Sequence, residues 1–118
     1  MQEYVELTGK EIVFDLFCGA GSIALFLARY AKEIYGFDVI KSAIENATRN
    51  AVINGIGNTI FHKVNLDTYF KKGRNLDNYP TPDVLILDPP RSGIHKNMVK
   101  ALPKFGSRRI VYVSCNPT

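Results

Sequence analysis

The run Val13 to Ser22, VFDLFCGAGS, limits this chain more than any other stretch, because an apolar segment passes abruptly into small, glycine-punctuated residues. Ile12 to Phe17 reads as a buried parallel strand. Gly19 and Gly21 permit a tight turn through positive φ, and Ser22 is placed to N-cap the apolar helix that follows. Strand, glycine turn and helix in this order make a ligand-binding unit. The same glycines with Ala24 satisfy G-x-G-x-x-A, which also suits a nicotinamide dinucleotide. Asp15 lies inside the strand, four residues before Gly19, and gives the run the form D-x-F-x-G-x-G-S; a plain structural turn is the other reading.

With 118 residues and 46% apolar content, the chain holds one domain around one core. Met1 to Lys10 is polar and short, so residues 1–11 are expected to be a linker or the end of an upstream segment, and 12–118 the folded unit. Fifteen Lys and Arg against eleven Asp and Glu give a formal charge of +4, which fits either a polyanionic partner or a solvated basic surface. No apolar span of membrane length and no signal-peptide pattern is present, which makes the cytoplasm the expected location. Two cysteines give neither a disulfide framework nor a zinc spacing, so no metal is expected.

Past the glycine turn, Ile23 to Ala31 reads as a helix and Ile34 to Phe37 as a second strand. That strand ends on Asp38, seventeen residues beyond Gly21, where a carboxylate can accept both hydroxyls of a ribose or serve as an ordinary turn acid. From Val39 to Val52, Ile40, Ala43, Ile44, Ala47, Ala51 and Val52 recur at helical spacing, and Asn54-Gly55 ends the helix. Thr59 to Val64 forms a third strand whose exit places Asn65 either to hold an adenine or to form a turn. Lys71, Lys72 and Arg74 with Tyr69, Phe70 and Tyr79 make a basic, aromatic segment, suited to RNA contact or to a solvated loop. Asp83 to Leu87 is apolar enough for a central parallel strand and runs into DPPRSG. A helix over Met98 to Phe105 and a fifth strand over Ile110 to Ser114 complete the pattern. The alternation specifies an α/β fold with a doubly wound parallel sheet.

In a sheet ordered 3-2-1-4-5, strands 1 and 4 flank the point where the winding reverses, so Asp88 and Gly19 face one crevice. The two prolines after Asp88 stiffen the loop that carries it. Cys115 follows strand 5 in SCNPT, at a strand end beside the crevice, where a thiolate can act as a nucleophile. The alternative is a small buried core residue, against which the Asn116-Pro117 turn argues. Cys18, within the glycine loop, reads as small packing. A bond between the two cysteines is not expected, because strand 4 separates strands 1 and 5 by about 9 to 10 Å.

DLFCGAGS resembles motif I of class I S-adenosylmethionine-dependent methyltransferases. Together with GFD, VNLD, LILDPPRSG and IVYVSCNPT, it resembles the RNA uracil-5-methyltransferases, which make 5-methyluridine in transfer or ribosomal RNA, over nearly everything from Ile12 to Thr118. The resemblance implies a Rossmann-like methyltransferase sheet and S-adenosylmethionine as methyl donor. Asp15, Gly19 and Gly21 would form motif I, and Phe17 and Asp38 would contact the donor, with Ser22 and Asn65 as weaker contacts. Asp88 would sit between donor and base, and Cys115 would add to C6 of the uracil so that C5 becomes nucleophilic enough to take the methyl group. RNA would be the partner of the full-length enzyme, with the target base flipped out of its stack.

Departures from the family pattern are also informative. Asp38 stands where relatives often have Glu, one methylene longer. The family's glutamate base, a glutamine upstream of motif I, a separate RNA-gripping domain and two further strands beside strand 5 have no counterpart here. The chain is therefore expected to be a C-terminally truncated catalytic core, inactive alone, with Ile110 to Ser114 as an exposed apolar edge. Two competing functions are an amine methyltransferase, against which Arg91 after Asp-Pro-Pro counts, and a non-catalytic module that binds cofactor or RNA.

Overall fold

The computed structural model describes residues 7–65, 79–87 and 109–112, together with Lys100, Leu102 and Ser107. Five strands form one parallel sheet: β1 (Ile12–Asp15), β2 (Glu33–Asp38), β3 (Thr59–Lys63), β4 (Val84–Leu87) and β5 (Arg109–Tyr112). Their order is β3-β2-β1-β4-β5, the order expected. Two helices, α1 (Ser22–Leu27) and α2 (Lys41–Ile53), connect β1 to β2 and β2 to β3. Because side chains alternate across a strand, the apolar runs supply two cores. On one face Val13, Ile34, Val84 and Ile86 pack with Ala24, Leu27 and Ala28. On the other Phe14, Leu16, Phe37, Leu85 and Leu87 gather, flanked by Tyr35, Val64 and Tyr79. All four residues of β4 are buried, as a central strand demands.

Several boundaries differ from those expected, each for an identifiable reason. β1 ends at Asp15 rather than Phe17. Leu16 still donates its N–H to the Ile86 carbonyl (3.1 Å), but Cys18 turns to donate to Phe37 O on β2 (3.0 Å), so the chain leaves the strand direction between them. The first helix closes early, and Ala28–Tyr30 tightens into a 3₁₀ turn. There the Asn58 side-chain amide donates to the carbonyls of Ala28 (2.7 Å), Ala31 (3.2 Å) and Lys32 (3.4 Å), replacing helical partners with one from thirty residues away. Ile40 precedes α2 as its N-cap, and both it and Val52 are exposed, so the buried stripe of α2 is Ala47 and Ala51. Gly55, at φ 68°, ends that helix and donates to Val52 O (3.1 Å). On β5, Ile110 is 47% exposed. The helix expected over Met98 to Phe105 lies largely outside the described residues, as do Val113 and Ser114.

Tyr79 corrects one expectation. Instead of joining a solvated or RNA-facing segment, its ring packs edge-on against Phe37 (5.3 Å between centroids), Tyr35 (5.8 Å) and His62 (5.3 Å). Such contacts belong to a core aromatic cluster. The remainder of that basic segment, Tyr69 to Arg74, lies outside the described residues.

Glu11, which no sequence pattern singled out, anchors the entrance to β1. Its carboxylate accepts hydrogen bonds from the Thr8 N–H (2.8 Å), the Thr8 hydroxyl (2.9 Å) and the Lys10 N–H (3.2 Å). Burial pushes its pKa up, but these hydrogen bonds outweigh burial and hold it below the ordinary value. The stabilisation is therefore present above the unfolded-state pKa and is lost as pH falls through the lower folded-state value. Glu11→Gln should cost about 1 kcal/mol at neutral pH, because the amide weakens these hydrogen bonds without removing them. Urea unfolding at pH 7 and pH 3 checks this: the gap between wild type and variant should close in acid.

Candidate functional site

The site lies at the carboxyl ends of β1 and β2, where the chain must reverse into α1. Between Cys18 and Ser22 it does so through two left-handed residues, Gly19 at φ 55° and Gly21 at φ 86°. The Gly21 N–H donates to Cys18 O (2.8 Å), and Gly21 O accepts from the Leu25 N–H (2.8 Å), so turn and first helical turn are one hydrogen-bonded piece. Gly21 itself occupies the N-cap position of α1, and Ser22 is the exposed first helical residue. This corrects the expectation of a Ser22 cap. The cap must take a positive φ that a side chain rarely tolerates, and glycine tolerates it.

The carboxylate of Asp38 closes the site from β2. Its Oδ2 accepts the Gly19 N–H at 2.8 Å, and its Oδ1 accepts the Ile40 N–H at 3.0 Å. Two residues that the sequence separates by nineteen positions are thereby locked together, one in the loop and one at a strand end. The Val64 N–H donates to Asp38 O (2.9 Å), which brings the exit of β3 and the exposed Asn65 to the same edge. Asp15 ends β1 almost fully buried, at 1% exposure. Phe17 is half-buried against the second core. Asp88 and Cys115, the residues expected to carry the chemistry, lie outside the described residues.

Cys18 is buried beneath the loop, with its Sγ 3.6 Å from Gly19 O. Burial, followed by the negative charges of Asp15 and Asp38, pushes its pKa up to about 12. A thiol in this setting stays protonated near neutrality and is a poor nucleophile. That agrees with a packing role.

Sequence reasoning missed two features. Val39 and Ile40 stand 51% and 55% exposed directly after Asp38, giving the carboxylate an apolar neighbour on the open edge. Gly36 and Phe61, opposite each other in β2 and β3, support the loop from below. A glycine inside a strand was the available signal for the second pair. For the first, helical spacing assigned Ile40 to the buried stripe of α2 and concealed it.

Among the described residues, a Cβ placed on Gly19 would meet nothing within 4 Å. Comparison with known proteins places the arrangement. Residues 3–118 match the model of the tRNA (uracil-5-)-methyltransferase family. An uncharacterized RNA methyltransferase of Clostridium acetobutylicum is 44% identical over 119 residues, covering 98% of this chain and 25% of its own length. One of Chlorobaculum tepidum is 40% identical, covering 94% of this chain and 23% of its own length. This chain thus spans about a quarter of the length of the curated relatives it matches. Among solved structures, the Pyrococcus abyssi tRNA (uracil-54, C5)-methyltransferase in complex with S-adenosyl-L-homocysteine superposes with a TM-score of 0.74 at 34% identity, covering 98% of this chain and 27% of that one. A dimethyladenosine transferase from Plasmodium falciparum shares the fold at a TM-score of 0.71 and 17% identity. The glycine loop, the strand order and the match over residues 3–118 agree, and the chain belongs to the tRNA (uracil-5-)-methyltransferase family.

Proposed function

We propose that this chain is the cofactor-binding core of an S-adenosylmethionine-dependent enzyme that methylates C5 of a uridine in RNA. The observation that carries the reading is the 2.8 Å hydrogen bond from the Gly19 amide to Asp38, which sets a glycine loop and a ribose-accepting carboxylate side by side. A carboxylate offers about four acceptor sites. The amides of Gly19 and Ile40 use one on each oxygen, so each oxygen keeps a second site for a ribose hydroxyl. Exposed Val39 and Ile40 supply an apolar surface for a purine next to that ribose. Among the described residues nothing lies within 4 Å of a Cβ placed on Gly19, which supports approach of the ligand to the loop.

When bound, S-adenosylmethionine supplies an electrophilic methyl group. The role of the protein is to make uracil C5 nucleophilic and to align it with that methyl group. Cys115 is proposed to add as a thiolate to C6, forming an S–C6 bond and pushing electron density onto C5. C5 takes the methyl group as the donor's S–CH3 bond breaks and its sulfur leaves as a neutral thioether, a base removes the C5 proton, and elimination breaks the S–C6 bond to return the thiolate. Asp88 follows the last residue of β4 in sequence, and β1 lies beside β4 in the sheet. This neighbourhood supports a place for Asp88 between donor and base.

The test is nucleoside analysis of RNA treated with a full-length protein carrying this chain and methyl-labelled donor. Label in 5-methyluridine is the expected result. Label on an exocyclic or side-chain nitrogen would replace this reading with amine methylation, and donor binding without any labelled RNA would replace it with a binding module.

A further inference from the structure

We propose that Phe61 is a positioning residue for the glycine loop, setting its height above the sheet through a contact that only glycine at position 36 permits. The inference rests on the reading of that loop as the seat of the cofactor. Gly36 and Phe61 face each other across the parallel pair of β2 and β3, so their side chains would share one face of the sheet. Because position 36 has no side chain, the ring of Phe61 lies across it. A Cβ there would stand 2.5 Å from Phe61 Cδ1 and 2.8 Å from Cε1. The same Cβ would stand 3.0 Å from Cys18 Cβ, within the loop.

The far end of the ring reaches the turn. A Cβ on Gly21 would lie 3.2 Å from Phe61 Cζ and 3.3 Å from Cε1, and 3.0 Å from Ala47 Cβ of α2. Gly21 is therefore held between an aromatic ring rising from β3 and a buried alanine of α2, at the point where its φ is 86°. Asp38 fixes the loop laterally by its hydrogen bond to Gly19. Phe61 fixes it vertically by contact. A methyl group at position 36 would displace the ring, and the ring would lift or release the loop. Closely packed interiors transmit such shifts because they have little free volume to absorb them.

The experiment measures S-adenosylhomocysteine affinity by titration calorimetry and ligand-free melting temperature, in a full-length protein carrying this chain. Gly36→Ala should weaken binding by about tenfold or more, since displacements near 1 Å are costly at sites built for alignment. Adding Phe61→Leu to Gly36→Ala should return the affinity to within about threefold of wild type, because the smaller side chain makes room for the added methyl group. A merely structural role would lower the melting temperature and leave the affinity of the folded protein unchanged, and that result overturns the proposal. A double variant no tighter than Gly36→Ala also overturns it. Should Gly36→Ala fail to accumulate as folded protein, Phe61→Leu alone decides: binding weakened about fivefold is expected, and unchanged binding is the contrary result. Wild-type protein that binds no S-adenosylhomocysteine would overturn the cofactor reading and this inference with it. Normal wild-type binding with indifferent variants overturns this inference alone.

Discussion

Cys115→Ala in a full-length protein carrying this chain should abolish 5-methyluridine formation, lowering the rate by roughly 10⁴-fold or more. The size follows from the chemistry. Uracil C5 is too weak a nucleophile to take a methyl group unaided, and only addition at C6 makes it enolate-like. Alanine offers no atom for that addition, so the whole covalent route is lost rather than slowed. S-adenosylhomocysteine affinity should stay within about twofold of wild type, since the cofactor contacts proposed above come from the glycine loop and β2. A rate loss with unchanged cofactor binding is the pattern to look for in single-turnover assays. Cys18→Ala provides the contrast. Its thiol is buried and held protonated by burial and two nearby carboxylates, so methylation should persist, with only a modest packing cost.

The second large effect is expected at Asp38. Its carboxylate receives two backbone amides, and in the proposed complex it also receives the ribose hydroxyls. Asp38→Ala removes both sets at once and should weaken S-adenosylhomocysteine binding by about 100-fold, close to 3 kcal/mol. Asp38→Asn should fall between the two, near tenfold, because an amide keeps one acceptor oxygen but turns its NH2 toward a backbone N–H. Calorimetric titration of the three proteins orders them. Equal affinities for wild type and Asp38→Ala would remove the carboxylate from the site. A drop in RNA affinity without a drop in cofactor affinity would assign it a different role.

Most of the architecture was legible because it is written locally. Apolar runs set the five strands, and their alternation with helical spacing set the doubly wound α/β class, while the order β3-β2-β1-β4-β5 came with the family resemblance. The glycine loop was legible for the same reason, since two positive-φ residues in a small-residue turn have few other uses. What escaped depends on partners distant in sequence. The helix after the loop looked uniform to Ala31, yet the amide of Asn58 takes the carbonyls at its end and tightens it. Ser22 is a good capping residue by type, but the backbone angle at the cap selected Gly21. Tyr79 sits in a polar, basic neighbourhood of the sequence and nevertheless completes an aromatic cluster with Phe37 and His62. Phe61 and Gly36 carry meaning only once the register of β2 and β3 is known.

The proposed site residues divide in the same way. Gly19, Gly21 and Asp38 were picked individually from the sequence, and the structure brings them to one edge of the sheet. Asp15 is buried at the end of β1, and Phe17 is half-buried against the second core. Asp88 and Cys115 were chosen by their sequence context after strands 4 and 5, and solution chemistry is the route to their roles.

The most direct measurement is peptide mapping by mass spectrometry after incubating a full-length protein carrying this chain with S-adenosylmethionine and RNA containing 5-fluorouridine. Fluorine at C5 cannot leave as a proton does, so a nucleophile bonded to C6 remains trapped. A stable RNA adduct on the peptide that contains Cys115 is the result predicted. An adduct on any other residue, or methylated RNA formed at a normal rate by the Cys115→Ala protein, would contradict the account.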